Sequence, residues 1–405
     1  MKNAVVFTKV DINSPLDKEG EILDTQKIDE ACKSISWCLR NGAYTVVVLS
    51  HQGRKKEESM KPHCKILEKY FSGKITLTKR DGKEAVDAIC NAKKGSIVIM
   101  ENTRSDDEEA NYDDVKETKI YKTLKEVEKK SGRKIVYVKD DFSVCHRKDL
   151  TIYGLPLQLK KEGYSVVAGP VIKQEYENIT MGRHKLKDGN IICVWGGKKY
   201  EDYMKLFKSF IESYPNSIVL TAGPLSILLQ KAMGRDVGKN AEAFKITPDL
   251  VEKAIPIIKK YKGRVLTPVD YYVENSNGRE VVDSRKSING GGIIVDIGPK
   301  TVVLYKNIIK ENPESIIIGN GPLGQYEKEE NRKGTKAVYK EIFNPENRNF
   351  VMGGGGDFNA VMNILGFEPQ VRSTGGKAFI ECIVNGFMPG LEPIMNKEVA
   401  QETSS

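Results

Sequence analysis

The sequence predicts an α/β protein made of two consecutive doubly wound parallel-sheet domains joined by a hinge helix. Short β-branched runs alternate with polar-faced helical stretches along the whole chain. Most of these runs are continuously apolar rather than alternating, as strands buried on both faces are. At 405 residues the chain is also too long for one ordinary core, and its 36 glycines suit many tight strand-to-helix turns.

In the first half the strand candidates are residues 4–10, 45–50, 74–78, 96–100, 134–138 and 164–168. In the second they are 190–195, 217–221, 293–297, 315–318, 349–352 and a short one at 370–372. Helix-length segments between strands imply right-handed βαβ crossovers and parallel sheets. Pro170 opens a helical stretch over 171–178, and a polar run over 182–190 leads into the second sheet. The expected division is therefore 1–168, a hinge helix and linker over 169–189, a second domain over 190–390, and a tail over 391–405 whose last residues, 398–405, read as disordered. Within the second domain, Pro268, the Asn-Ser-Asn-Gly turn at 275–278 and the glycines at 290–292 mark a small antiparallel excursion over 265–292.

The seven cysteines are scattered and odd in number, with no CxxC pair, so they read as reduced core thiols of a cytoplasmic protein. Cys145 stands beside His146, but no catalytic pattern surrounds it and packing is the expected role. No apolar run reaches the roughly 18 residues of a membrane span, and the N-terminus lacks signal-peptide architecture. The net charge of +9 comes from lysines interleaved with acids, without a basic tail, which reads as a solvated surface rather than a nucleic-acid or membrane partner. No apolar stripe marks an interface, leaving monomer or homodimer open.

Four basic or His-centred clusters stand where first-half strands end, at 11–15, 50–54, 101–104 and 140–147. They supply His51, Arg54, Arg104, His146 and Arg147, with Asp11 and Asn13 on the first loop. Loops at the carboxyl ends of parallel strands converge on one crevice. Arginine forks in such a crevice suit a small, multiply anionic ligand. The second half answers with glycine turns after its strands: Gly196-Gly197-Lys198-Lys199, Asn320 to Gly324 with Glu327, Gly353 to Asp357, and Ser373 to Lys377. Exposed amides and a lysine at a helix start are expected to form a phosphate site. A basic half facing a phosphate-binding half suggests phosphoryl transfer.

Read in order, KVDINSP, ILDTQKI, SHQGR, ENTR, DDFSVCHR, AGPVIKQE, GGKKYED, DIGPKT, NGPLGQYE, GGGGD and STGGKA resemble phosphoglycerate kinases, the archaeal branch above all. The resemblance spans residues 5 to 395. It implies an ATP-dependent transfer to the carboxylate of 3-phosphoglycerate, giving 1,3-bisphosphoglycerate and ADP, with hinge closure between the domains. It implies acid binding by Asp11, Asn13, Lys27, His51, Arg54, Arg104, His146 and Arg147, of which Arg54 and Arg147, with Lys199, act in catalysis. It also implies nucleotide binding by Gly196, Gly197, Lys198, Lys199, Gly223, Asn320, Glu327, Gly355, Gly356, Gly375, Gly376 and Lys377. Asp357 would stand near the nucleotide's magnesium ion.

The departures cluster at the site. Lys27 takes the place of an arginine and loses its fork. Tyr203 stands where many members carry a lysine, Lys198 where a small residue is usual, and Lys377 in place of a glycine. Phe358 fills a small or hydroxylic position, removing a phosphate donor. Lys139 and Asp141 replace an asparagine and an alanine. Three readings fit these facts: a phosphoglycerate kinase whose added lysines restore charge, a paralogue that phosphorylates another small anionic acid, and a non-catalytic binding or scaffold protein. The retained His51, Arg54, Arg104, Arg147, Lys199 and Asp357 favour the first.

Overall fold

The structure, a computed structural model, describes residues 1–53, 55–187, 189–197, 204–285, 287–288 and 292–395. Its strands are β1 (Val5–Val10), β2 (Thr45–Leu49), β3 (Ile75–Thr78), β4 (Ser96–Met100), β5 (Ile135–Asp140), β6 (Ser165–Ala168), β7 (Ile191–Trp195), β8 (Ser217–Thr221), β9 (Val265–Leu266), β10 (Asp270–Asn275), β11 (Gly278–Asp283), β12 (Ile293–Ile297), β13 (Ile316–Asn320), β14 (Phe350–Gly354) and β15 (Val371–Ser373). Among the described residues no helix is long and apolar enough to cross a membrane.

The chain divides into two compact units, residues 1–177 with 385–405, and residues 178–384. The first holds a six-stranded sheet in the order β3-β4-β2-β1-β5-β6, all parallel. Successive β1 residues feed two cores. Val6 and Val10 pack against Ile28, Ile35 and Cys38 of the helix Gln26–Arg40. Val5 and Phe7 pack with Ile120, Leu124 and Val127 of the helix Lys119–Ser131. Both faces are covered, which is why the strands read as unbroken apolar runs.

The second unit holds a parallel sheet in the order β15-β14-β13-β7-β8-β9. In chain order this is the 3-2-1-4-5-6 arrangement of dinucleotide-binding folds, whose switch point lies between β7 and β13. Contrary to expectation, the run 293–297 does not join this sheet: β12 pairs antiparallel with β10 in a separate sheet, β11-β10-β12. The sixth parallel strand is the two-residue β9 instead. Ile-Ile-Val-Asp-Ile is buried from its second residue onward, so its apolar run looks the same in either sheet.

The helix after β6 is longer than expected, running over Pro170–Leu186. Gly182 lies within it, where the missing side chain admits Met352; a Cβ there would lie 2.4 Å from the methionine Cε. The units divide within this helix, between Glu177 and Asn178. The end of the chain also differs from a simple tail. Gly390 N donates to Cys145 O at 2.8 Å, Leu391 is buried, and Lys160 Nζ reaches Met395 O at 2.9 Å. Residues 385–395 thus belong to the first unit, where a second-domain end and a tail were expected. The expected disorder over 398–405 lies outside the described residues.

Candidate active site

In the first unit β1 lies between β2 and β5, so the loops after β1, β2, β4 and β5 gather at the carboxyl edge. Asp11 leaves β1 with its side chain nearly buried. Lys27, in the first turn of the helix Gln26–Arg40, lies 2.6 Å from Asp11 Oδ2, and Ser143 donates to the same oxygen. Asn13 N donates to Oδ1 at 3.0 Å. Burial alone would raise this carboxyl's pKa, but Lys27 and the hydrogen bonds outweigh it and hold Asp11 below the usual carboxylate range.

Asn13 is equally fixed, its Oδ1 accepting from Gly53 N at 2.8 Å. His51 is buried, and burial pushes its imidazole well below the ordinary value, with Asp11 opposing. It is therefore neutral at pH 7. Asn102, part of the ENTR motif but given no role from sequence, clamps the loops. Its Oδ1 accepts from Gln52 N at 3.1 Å and Arg104 N at 3.0 Å, and its Nδ2 reaches Gln52 O at 2.9 Å.

Arg104 Nη1 donates to Gly53 O at 2.8 Å, and Arg147 Nε lies 2.7 Å from Asp149 Oδ2. Burial and the neighbouring Arg147 charge lower the Arg104 pKa, while Asp149 and Asp11 oppose. Two guanidiniums near enough to repel could receive an anion. His146 sits half-buried on the same turn as Arg147. Arg54 lies outside the described residues.

Beneath these loops is a layer that sequence did not reveal. Lys9 and Lys139 are register partners on β1 and β5, both fully buried. Lys139 Nζ lies 2.6 Å from Asp141 Oδ1, though off the line of a hydrogen bond. Lys9 Nζ donates to Thr103 Oγ1 at 3.3 Å, and the buried Glu109 accepts from Thr151 Oγ1 at 2.5 Å. Burial lowers the Lys9 pKa, with Glu109 and Asp141 opposing, and raises those of Asp141 and Glu109. Two lysines are thus balanced by two acids. Cys145 is buried, its Sγ 3.6 Å from Asp141 O, in the packing role expected of it.

In the second unit a cleft of about 500 Å³, counted to its open mouth, lies at the β7/β13 switch point. Gly197, Gly223, Glu327 and Asp357 line it, as expected from sequence, and so do Phe244, Val295, Asp296, Leu323 and Tyr326, to which sequence gave no role. Asp296 belongs to the DIGPKT block; nothing local marks Phe244. Asp296 accepts from Gly334 N at 2.8 Å and Ile297 N at 2.9 Å. Burial pushes its carboxyl up to about 7.

The glycine turns differ from the expected amide cradle. Gly196 N donates to Asn320 O at 2.9 Å and Gly197 N to Pro322 O at 3.0 Å. Both amides are therefore used within the protein. The glycines serve close approach instead: a Cβ on Gly196 would lie 1.9 Å from Pro322 O. Asn320 is buried at the end of β13. Gly355 N is likewise used, donating to Ser373 O at 3.2 Å, and Gly375 N donates to Ser373 Oγ at 3.1 Å.

Gly356 opens the helix Gly356–Leu365, with nothing within 4 Å of where a Cβ would stand, and Asp357 follows in its first turn. Lys377, after Gly376, opens the helix Lys377–Asn385. These two helix starts favour anions. Lys198, Lys199 and Tyr203 lie outside the described residues. Asp357 Oδ1 accepts from the Tyr326 hydroxyl at 3.3 Å. Asp357, a hard oxygen ligand lining this cleft, fits magnesium held jointly by protein and phosphates.

A sequence model of phosphoglycerate kinase matches residues 1–385. The chain is 31% identical to "Phosphoglycerate kinase 1" of Methanosarcina acetivorans, covering 98% of this chain and 94% of that protein. It is 29% identical to phosphoglycerate kinase of Dictyostelium discoideum, covering 96% and 95% respectively. The crystal structure of phosphoglycerate kinase from Pyrococcus horikoshii OT3 superposes with a TM-score of 0.82 at 28% identity, covering 99% of this chain and 98% of that one.

Proposed function

We propose that this chain, which belongs to the phosphoglycerate kinase family, transfers the γ-phosphoryl group of ATP to the carboxylate of 3-phosphoglycerate. A carboxylate oxygen attacks the γ-phosphorus, the bond to the β-phosphate oxygen breaks, and 1,3-bisphosphoglycerate and ADP result. The observation that carries this reading is one chain with His51, Arg104 and Arg147 gathered at one switch point and an open cleft lined by Glu327 and Asp357 at another.

On the first unit Asp11 and Asn13 take the acid's hydroxyl and carboxylate, and Lys27 brings positive charge beside them. His51, Arg104, His146 and Arg147, with Arg54, hold its phosphate; a neutral His51 serves as a hydrogen-bonding group rather than a charge. On the second, the cleft takes the nucleotide, Glu327 takes ribose hydroxyls, and Asn320, the helix starts at Gly356 and Gly376, Lys377 and Lys199 face phosphates. Asp357 would hold magnesium, which when bound neutralises phosphate charge. Catalysis is then positioning and charge stabilisation, as this reaction class requires.

The test is to supply magnesium-ATP with 3-phosphoglycerate and trap acyl phosphate as hydroxamate. Hydroxamate from that acid is expected. Hydroxamate formed only from another small acid would overturn the substrate assignment, and none from any acid would overturn the reaction.

A further inference from the structure

Position 358 has been turned inward. Phe358 is fully buried and meets Tyr339 edge-on, ring centroids 6.2 Å apart. It lies over two glycines of the sheet: a Cβ on Gly319 or Gly353 would come within 2.3 Å of its ring. The small or hydroxylic residue that the family resemblance places after the acid is therefore replaced by core. No hydroxyl remains beside Asp357 on its own helix turn.

The cleft supplies one from its opposite side. Tyr326 donates its phenolic hydroxyl to Asp357 Oδ1 at 3.3 Å, and both residues line the cleft. The tyrosine is held by its backbone surroundings. Gln325 N donates to Val295 O at 2.8 Å, and Arg332 Nη1 to Tyr326 O at 3.1 Å. The phenol's position is thus set by β12 and the following loop, independently of the helix that carries Asp357.

We infer that Tyr326 is a positioning residue for Asp357, replacing the hydroxyl lost at 358 and fixing the carboxylate toward the nucleotide's phosphate end and its magnesium. This rests on the nucleotide reading of the cleft. An aspartate in the first turn of a helix has several rotamers open to it. One hydrogen bond to Oδ1 selects among them and leaves Oδ2, which accepts nothing from the described residues, available to the cation or its waters. Such outer partners tune metal affinity through the orientation of the ligand.

The experiment is calorimetric titration with ADP, with and without magnesium, of the intact protein, Tyr326→Phe, Asp357→Asn and the double variant. The quantity read is the ratio of the magnesium-free to the magnesium-loaded Kd. One long hydrogen bond, to a charged acceptor, predicts a fall in this ratio of about three-fold in Tyr326→Phe. In the Asp357→Asn background the same change should do nothing more. A ratio unmoved by Tyr326→Phe, or moved equally in both backgrounds, would overturn the inference while leaving the cleft a nucleotide site. Absence of ADP binding by the unmodified protein would overturn both. A merely structural tyrosine would shift both Kd values together and leave their ratio unchanged.

Discussion

Removing either partner of the Lys139–Asp141 pair should damage the protein far more than removing both. The two groups are 2.6 Å apart and fully shielded from solvent. At an effective dielectric constant of about 20, their attraction is about 6 kcal/mol. Much of that offsets the desolvation of two ions, so the pair adds little net stability over a neutral replacement. Deleting one partner leaves the other charged and buried, which costs about 3–5 kcal/mol. Asp141→Ala carries a further penalty, since Lys139 then faces its register partner Lys9 with only Glu109 to balance two ammonium groups. At about 2–4 °C per kcal/mol for a unit of this size, each single variant should melt roughly 10 °C lower. Lys139→Asn with Asp141→Ala should return to within about 1 kcal/mol of the unmodified protein. Scanning calorimetry of the four proteins completes the cycle and shows which transition moves. Additive losses, with the double variant the least stable, would refute the argument that the two substitutions compensate each other.

Burial lowers the His63 pKa to about 4 from an ordinary 6.5. Its neutral form is the folded one, so stability present above pH 6.5 is lost as pH falls toward 4, by about 3 kcal/mol. His63→Gln should flatten the stability difference between pH 7 and pH 4 by that order; an unchanged pH profile in urea denaturation would contradict it. Gly196→Ala sets a Cβ against the Pro322 carbonyl and should cost about 1–3 kcal/mol, with weaker ADP binding by titration. Gly356→Ala, which meets nothing within 4 Å, should leave the melting temperature of the second unit nearly unchanged. Equal melting shifts in the two variants would count against the close-approach role of Gly196.

What sequence reveals here follows from range. Strands such as Thr45–Leu49 and Ile135–Asp140 are buried on both faces, and that burial is written directly into their composition. The run at 293–297 carries the same composition, and only its partner, β10, sets it in another sheet. Two-residue β9 carries no pattern to read. At the site, Arg104 and Arg147 are legible because charge at strand ends is local. The Gly196 and Gly197 amides read as anion donors because their actual acceptors, Asn320 O at the end of β13 and Pro322 O just after it, lie over 120 residues later. The substitutions at 139 and 141 are visible as oddities, but their pairing depends on side-chain direction at the end of β5. Tyr326 stands in the NGPLGQYE run, but nothing local links it to Asp357, which its hydroxyl meets only in the fold.

Steady-state kinetics of acyl phosphate formation, varying each substrate in turn, tests the division of labour between the two sites most directly. The unmodified protein should turn over magnesium-ATP and 3-phosphoglycerate at about 1–1,000 per second. Arg104→Ala should raise the KM for the acid by ten-fold or more, about 1.4 kcal/mol or above, and Asp357→Asn should act on the nucleotide side. If Arg104→Ala raised the nucleotide KM and spared the acid, the placement of the acid on the first unit would be wrong; if no acyl phosphate formed, the reaction itself would be.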